Sequence, residues 1–263
     1  MLKIAIQKSG RLYEDSVKLL KECGIELNNG NKQLKAVANN FPLEIYFLRD
    51  DDIPQYVYDG VADIGIVGEN VLLEKNKEID LVYRLGFGKC RLSIAVPKST
   101  QYKSIADLQG LKIATTYSTI LQKYLDANKS NAEIHEISGS VEIAPGIGLA
   151  DAICDLVSSG STLFTNGLKE VEVILKSEAV LTANKNLSAE NKLLLEKLLM
   201  RITAVKSAKN NKYIILNAPN NQLKNISAIL PGMKSPTVTP LAEEGWSSVQ
   251  SVGSNTMYRN IFK

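Results

Sequence analysis

Histidine and cysteine are scarce in this chain, and their scarcity excludes several kinds of catalytic site. The 263 residues contain one histidine, His135, and three cysteines, Cys23, Cys90 and Cys154, that lie far apart. Zinc sites need clustered His or Cys ligands, and a Ser-His-Asp triad needs a histidine beside its nucleophile, so neither is indicated. An odd number of cysteines without a CxxC pair is typical of reduced cytoplasmic cysteines. His135 stands in the alternating stretch AEIHEIS, which predicts a residue on a strand surface.

Long apolar runs and blocks of one charge are also missing. No segment reaches the ~18 unbroken apolar residues of a membrane helix, and MLKIAIQKSG turns polar too soon for a signal peptide. The formal net charge is only +3, with basic and acidic residues mixed, so nucleic acid is not indicated as a partner. With 44% hydrophobic residues, the composition predicts a cytoplasmic globular protein of more than one domain that binds no membrane.

Alternating strand and helix patterns predict an α/β fold with mainly parallel sheets. LKIAIQ reads as a buried strand, and the helical spacing of RLYEDSVKLLKECG follows it. LKIATTY and STILQKYLDAN repeat the order, which predicts a second lobe. EVEVILKSEAVLTAN is long enough to cross back to the first lobe. We expect residues 1–89 with 184–208 to form the first lobe and residues 90–183 the second.

The last segment, residues 209–263, has a different pattern. A long amphipathic helix, SAENKLLLEKLLMRITAVKSAKN, precedes the strands and helix YIILNAP, NQLKNISAIL, SPTVTPL and WSSVQSV. Their β-α-β-β order begins a ferredoxin-like βαββαβ domain. The chain reaches MYRNIFK before there is room for a further helix and strand, so we expect this domain to be incomplete.

A ligand cleft is expected at the carboxyl ends of the strands, where loops lead into helices. The predicted cleft loops are Lys8 to Arg11, Arg49 to Pro54, Gly65 to Asn70, Thr115 to Thr119 and Glu142 to Asp151.

The most specific stretch is EIAPGIGLADAICDLVSSG, from Glu142 to Gly160. Its proline and glycines shape a loop before a predicted helix, where backbone N–H groups can approach a phosphate. Asp151 and Asp155, four residues apart, would share one face of that helix and meet ribose hydroxyls or Mg²⁺ waters. The alternative, in which the two acids only cap and solvate the helix, is equally compatible with the spacing.

Three other stretches are weaker candidates. In QKSGR, Lys8 and Arg11 could hold phosphate oxygens. The acids after Arg49 in RDDDIP need a helix end, a neighbouring cation or a metal to offset their repulsion. The glycines of ADIGIVGEN permit close ligand approach. An exposed loop, a helix-capping cluster and a tight turn are the respective alternatives. No nucleophile stands beside a base, which favours group transfer from an already activated donor.

Together these stretches resemble the ATP phosphoribosyltransferase family, in its long form. The matching segments run in order over nearly the whole chain: QKSGRL, FLRDDDIP, ADIGIVGENVL, LGFGKCRLSIAVP, LKIATTY, GSVEIAPGIGLADAICDLVSSG followed by TL, SEAVL and SPTVTPL. The resemblance implies a two-lobed core of the periplasmic-binding-protein type with a C-terminal ferredoxin-like regulatory domain. It implies attack by adenine N1 of ATP on C1 of 5-phosphoribosyl 1-pyrophosphate, with Mg²⁺ as cofactor, in the first step of L-histidine biosynthesis. Histidine as feedback inhibitor and a homo-oligomer, dimer or hexamer, are implied as well.

The resemblance also implies site residues. Glu142, Asp151 and Asp155 would be catalytic carboxylates beside an oxocarbenium-like transition state. Mg²⁺ would be held mainly by substrate phosphates, without an identified protein ligand. The phosphoribosyl pyrophosphate site would comprise Glu142, Ala144, Pro145, Gly148, Leu149, Ala150, Asp151 and Ala152. The ATP site would comprise Lys8, Arg11, Arg49 and Glu69.

Other functions make different predictions. A catalytically silent paralogue that binds histidine or a nucleotide would be expected to lose the Glu142 to Gly160 stretch, which is complete here. A solute-binding protein of similar fold would carry an export signal. A DNA-binding regulator would place a helix-turn-helix first, whereas the printed chain opens on a predicted strand.

Overall fold

A computed structural model describes residues 1–27, 34–230 and 235–254. It divides into two compact units, Met1–Leu195 and Glu196–Lys263. The helices are α1 Arg11–Glu22, α2 Ile53–Tyr58, α3 Glu69–Lys75, α4 Ser118–Ala127, α5 Ser161–Thr165, α6 Ala189–Asn210 and α7 Leu223–Ile229. The strands are β1 Leu2–Gln7, β2 Lys35–Val37, β3 Leu43–Leu48, β4 Ile64–Gly68, β5 Asp80–Arg84, β6 Cys90–Pro97, β7 Lys112–Thr115, β8 Glu133–Glu136, β9 Ala152–Val157, β10 Leu168–Ser177, β11 Ala179–Ala183, β12 Asn211–Pro219, β13 Thr237–Pro240 and β14 Trp246–Ser254.

The first lobe is built on a six-stranded sheet in the order β2-β3-β1-β4-β11-β5. Its central strand β1 pairs parallel with β3 and β4, and Leu2, Ile4 and Ile6 are fully buried. These alternate residues lie on one face of the strand, and the fully buried Ala5 lies on the other, as in a strand covered on both faces. The strands β2, β11 and β5 run antiparallel to their neighbours, so the sheet is mixed, and the prediction of mainly parallel sheets is wrong here.

The second lobe has a five-stranded mixed sheet in the order β10-β6-β9-β7-β8. Its β9 lies at the centre, antiparallel to β6 and parallel to β7. Ala152 and Cys154 pack into one apolar cluster, and Ile153 and Val157 pack into another on the opposite face. The helix predicted over this stretch is therefore wrong. The strand fills both faces of the sheet, as alternating side chains require. His135 lies on β8, as predicted.

Two crossings join the lobes, one through residues 85–89 and one through the single residue Glu178. The crossings are hydrogen-bonded to each other: Leu85 N–H donates to the Ala179 carbonyl, and Ala179 N–H donates to the Phe87 carbonyl, both at 2.9 Å. The predicted return to the first lobe is confirmed. The predicted boundary at residue 183 is wrong, because β11 pairs with β4 and β5 of the first lobe.

The second compact unit contains an antiparallel sheet in the order β12-β14-β13, with α7 between β12 and β13. The predicted β-α-β-β order is confirmed, as is the long helix α6. The predicted end of this domain at MYRNIFK lies outside the described residues. Across the described part of the chain, no helix is long and apolar enough to cross a membrane.

Candidate active site

The first lobe gathers four predicted residues at one edge of its sheet. Lys8, Arg49 and Glu69 each follow the carboxyl end of one of the neighbouring strands β1, β3 and β4, and Arg11 begins α1. Lys8 N–H donates to the Leu48 carbonyl at 2.8 Å, which ties the first two strand ends together. Because parallel strands end at the same edge, the cations come from separate parts of the chain to one side of the cleft.

Glu69 differs from the others because its carboxylate already has a partner. The side chain is buried, with the residue 7% exposed, and it forms a two-pronged ion pair with Arg84 of β5. The hydrogen bonds and the negative charge of Glu69 raise the pKa of the Arg84 guanidinium. Glu69 therefore joins the start of α3 to β5 at this edge of the sheet. Sequence reasoning missed Arg84, because only the pairing of β5 with β11 brings it to this edge.

The loop predicted to hold phosphate, residues 142–150, uses several of its backbone N–H groups in hydrogen bonds within the loop. Ala144, Gly148 and Leu149 N–H groups donate to the carbonyls of Val141, Pro145 and Ala144 at 3.1, 3.2 and 2.9 Å. Pro145 has no N–H group to offer. Ala144 and Ala150 are buried in the apolar cluster beneath. These three N–H groups therefore bond within the turn, and the prediction that residues 142–150 hold phosphate stays a prediction.

Asp151 directly precedes β9 and Asp155 lies within it, so the two acids do not share a helix face. Asp151 precedes β9: its N–H donates to the Lys112 carbonyl at 2.8 Å, and its carboxylate accepts the Lys112 N–H at 2.9 Å. Ala152 begins β9 and is fully buried. At about 3.3 Å per residue, four residues of strand separate the two acids by about 13 Å. The predicted shared helix face is wrong, and Asp151 marks the amino end of the sheet.

Asp155 and Glu142 do come together. Both line a cavity of about 410 Å³ at the carboxyl end of β9, with residues 156–163. Burial raises the pKa of the Asp155 carboxyl, a hydrogen bond from Leu156 N–H at 2.7 Å partly opposes the rise, and the negative charge of Glu142 adds to it. Like charges in a partly desolvated cavity are set up to meet hydroxyl donors or a cation.

The segment Ser158–Thr162, which sequence reasoning missed, also lines this cavity. Gly160 has a φ of 83°, and the hydroxyls of Ser159 and Ser161 lie 3.0 Å apart. No hydrogen bond within the described residues uses the N–H groups of Gly160 or Thr162. Free N–H groups and hydroxyls around a left-handed glycine suit a phosphate. In the sequence, the run SSGST directly after the apolar segment AICDLV could have indicated this loop.

A second cavity of about 460 Å³ lies between the two lobes. Asp50, Asp51 and Glu74 line it from the first lobe, and Tyr117 with residues 136–139 line it from the second. Burial, followed by the charge of Asp51, raises the pKa of the Asp50 carboxyl. The predicted loops Arg49 to Pro54 and Thr115 to Thr119 therefore face each other across the cleft.

Similarity to known proteins identifies the family of this chain. The family model described as ATP phosphoribosyltransferase matches residues 49–204, more than half of the chain. A relative from Cytophaga hutchinsonii named ATP phosphoribosyltransferase is 63% identical over 252 residues, covering 96% of this chain and 88% of the relative. The chain belongs to the ATP phosphoribosyltransferase family.

Solved structures share the fold of this chain. An ATP phosphoribosyl transferase (HisG:HisZ) complex from Thermotoga maritima contains a chain that superposes with a TM-score of 0.69 at 28% identity, covering 80% of this chain and 99% of that chain. The substrate-binding protein of an amino acid ABC transporter superposes with a TM-score of 0.53 at 14% identity, covering 79% and 94%. The second likeness concerns the fold alone, and it confirms the predicted periplasmic-binding-protein type. The C-terminal domain model of the family matches residues 208–263.

Proposed function

We propose that this enzyme joins adenine N1 of ATP to C1 of 5-phosphoribosyl 1-pyrophosphate, giving N1-(5-phosphoribosyl)-ATP and pyrophosphate, the first step of L-histidine biosynthesis. The observation that carries the proposal is one cavity that combines the hydroxyl-rich loop Ser158–Thr162 with the carboxylates of Glu142 and Asp155. A phosphorylated sugar needs both: donors for its phosphate and acceptors for its ribose hydroxyls. Family membership supplies the reaction class.

The donors and acceptors of this cavity suggest how the phosphoribosyl group is oriented in it. The 5-phosphate lies against the N–H groups of Gly160 and Thr162, and the ribose hydroxyls donate to Asp155 and Glu142. C1 then points towards the inter-lobe cleft, and Lys8, Arg11 and Arg49 stand beside the strand ends of the first lobe. These cations suit the pyrophosphate and triphosphate groups, and their placement brings ATP to the face from which adenine N1 attacks.

The chain's residues contribute mainly charge and position. As the bond from C1 to pyrophosphate breaks, positive charge develops on the ribose, and the fixed carboxylates of Glu142 and Asp155 stabilise it. Protein nucleophiles are unnecessary, because phosphoribosyl pyrophosphate is already activated. Asp151 lies at the other end of β9 and is left out of this arrangement.

Mg²⁺ is proposed as the cofactor, held largely by substrate. No group of three or more His, Cys, Asp or Glu side chains in residues 1–27, 34–230 and 235–254 is arranged to hold a metal ion. Two carboxylates in one cavity, Glu142 and Asp155, nevertheless fit an ion that keeps several waters and phosphate ligands. When bound, the ion would neutralise the charge of the departing pyrophosphate.

The test is an absorbance assay for phosphoribosyl-ATP with purified protein, ATP, phosphoribosyl pyrophosphate, Mg²⁺ and pyrophosphatase. We expect product from the unaltered protein and from Asp126→Asn, a control on the exposed side of α4. Absence of product from folded protein would leave the silent-paralogue alternative in its place.

We also propose histidine as a feedback inhibitor that acts through residues 208–263, together with a cytoplasmic homo-oligomer, dimer or hexamer. The match of that segment to the family's C-terminal domain supports this proposal. Histidine added to the same assay should lower the rate, and light scattering should give the mass of an oligomer. A histidine-insensitive monomer would refute this part alone.

A further inference from the structure

Helix α4 of the second lobe begins without a cap of its own. Its first residue is Ser118, the residue before it, Tyr117, makes no side-chain capping bond, and no acid stands in its first turn. The first N–H groups of a helix have no partners within the helix and need acceptors from elsewhere.

The acceptor comes from the other lobe. Glu74, on α3 of the first lobe, receives the Thr119 N–H at 2.9 Å on one carboxylate oxygen and the Ile120 N–H at 3.0 Å on the other. A negative charge at the positive end of a helix makes both bonds stronger than neutral ones. Glu74 therefore caps a helix that belongs to the opposite side of the cleft.

Asn70 stands one helical turn before Glu74 on the same face of α3 and also reaches the second lobe. Its side-chain amide donates to the Tyr117 hydroxyl at 3.1 Å, and its carbonyl accepts the Ser177 hydroxyl at 2.8 Å. Asn70 is only 4% exposed. A Cβ atom on Gly68 would lie 2.5 Å from the Asn70 side-chain oxygen, so the glycine is required for this placement.

We propose that Asn70 and Glu74 form an inter-lobe latch that holds the cleft closed, and that both are positioning residues for the transferase reaction. Three of the four bonds end on Tyr117, Thr119 and Ile120 of the second lobe, so opening the cleft breaks these three together, whereas the bond from Ser177 lies beside the crossing at Glu178. Closure encloses the cavity that Asp50 and Glu74 line from the first lobe and Tyr117 lines from the second. The kinetic consequence rests on the proposed function, whereas the hydrogen-bonded latch does not.

The latch shifts the equilibrium between the open and closed lobes towards the closed state, yet it is weak enough for the lobes to open. A helix cap contributes a free energy that corresponds to about a tenfold change in an equilibrium constant. Substrates that bind both lobes supply the remaining preference for the closed state. Losing the latch should therefore weaken substrate binding while leaving the closed complex competent.

The test is Glu74→Gln in the full chain, with Glu78→Gln as control. Glutamine keeps the size and one acceptor oxygen but turns an NH₂ group towards the second N–H. Glu78 carries the same charge and lies exposed, paired with Lys185 of its own lobe. We expect KM for both substrates to rise about tenfold in Glu74→Gln, with kcat at saturation changed less than about twofold. Glu78→Gln should match the unaltered protein.

Hydrogen exchange supplies the second readout. Without substrates, the amides of Thr119 and Ile120 should exchange faster in Glu74→Gln. Phosphoribosyl pyrophosphate with Mg²⁺, without ATP, should restore their protection by closing the lobes. Tyr117→Phe, which removes only the acceptor for Asn70, should give a smaller change in the same direction.

Two results would overturn the inference. One is unchanged KM in Glu74→Gln with unchanged exchange at both amides. The other is faster exchange that substrate does not reverse, which would make Glu74 a local cap without influence on closure. If the unaltered protein forms no product yet shows the substrate-reversible exchange, the proposed function fails and the latch stands.

Discussion

The two ends of β9 carry the same residue type in very different surroundings. Asp151, before the strand, binds backbone of Lys112, while Asp155, near its far end, lines a cavity with Glu142. Both carboxylates are acceptors, yet only the one at the carboxyl end meets loops that can hold a ligand. Position along the strand decides which acid can take part in chemistry.

The two glycine-containing loops beside β9 differ in the same way. Gly148 and Gly160 both have positive φ angles, 74° and 83°. Around Gly148 the N–H groups bond within the turn, whereas the Gly160 N–H makes no bond among the described residues. Glycine content alone therefore does not make an anion site. The direction of the free donors does.

The largest expected effect separates the two acids. Asp155→Asn should lower kcat/KM for phosphoribosyl-ATP formation by about 10²–10³, because a fixed charge beside the developing positive ribose is lost. Asp151→Asn, the matched change at the other strand end, should stay within about twofold. Equal losses in the two variants would contradict the distinction drawn here.

The next effect separates the two loops. Gly160→Ala should raise KM for phosphoribosyl pyrophosphate about tenfold, because a side chain at positive φ costs roughly 1–2 kcal/mol and turns the free N–H groups away. Gly148→Ala introduces similar backbone strain in the other loop. It should lower the melting temperature while KM remains near that of the unaltered protein. A rise in KM only in the second variant would restore residues 142–150 as the phosphate loop.

A smaller effect concerns stability at the amino end of the sheet. Asp151→Ala removes the acceptor of the Lys112 N–H and should lower the free energy of unfolding by about 1 kcal/mol, measured by denaturant titration. Turnover should change little. The sequence-based interpretation expects a strong loss of turnover instead, so one assay decides between them.

The smallest effect is a pH-dependent gain in stability. Because the pKa of Asp155 is raised on folding, its protonation stabilises the fold fully below the ordinary aspartate pKa. That contribution is lost as the pH rises through the raised value. Asp155→Asn should therefore melt a few degrees higher than the unaltered protein at about pH 7, and the difference should vanish near pH 4. A variant that melts lower at neutral pH would contradict the desolvation argument.

Strand ends were predictable from the sequence, and contacts between distant elements were not. Lys8, Arg49 and Glu69 follow apolar strands, so their shared edge could be inferred from strand order. The segment AICDLV was misread, because a six-residue apolar run fits a strand or a buried helix equally by periodicity. The short length of this segment and its β-branched residues, Ile153 and Val157, favoured a strand over a helix. Once the strand is recognised, SSGST falls where a ligand loop belongs.

The partners of Glu69 and Glu74 could not have been predicted. Arg84 reaches Glu69 only because β11 returns to the first lobe, and Glu74 reaches α4 only because the lobes close. Such pairings depend on lobe packing, which no local pattern records.

The unequal crossings between the lobes also decide where the chain can be lengthened. Glu178 alone spans one crossing, so an inserted residue there shifts β11 by one position and turns every side chain of that strand to the opposite face. The five residues of the other crossing include Gly86 and Gly88 and can absorb extra length. Tags, reporter loops or new chain termini are therefore best placed in residues 85–89. Glu178 has a fixed length and is expected to act as the pivot when the two lobes open and close.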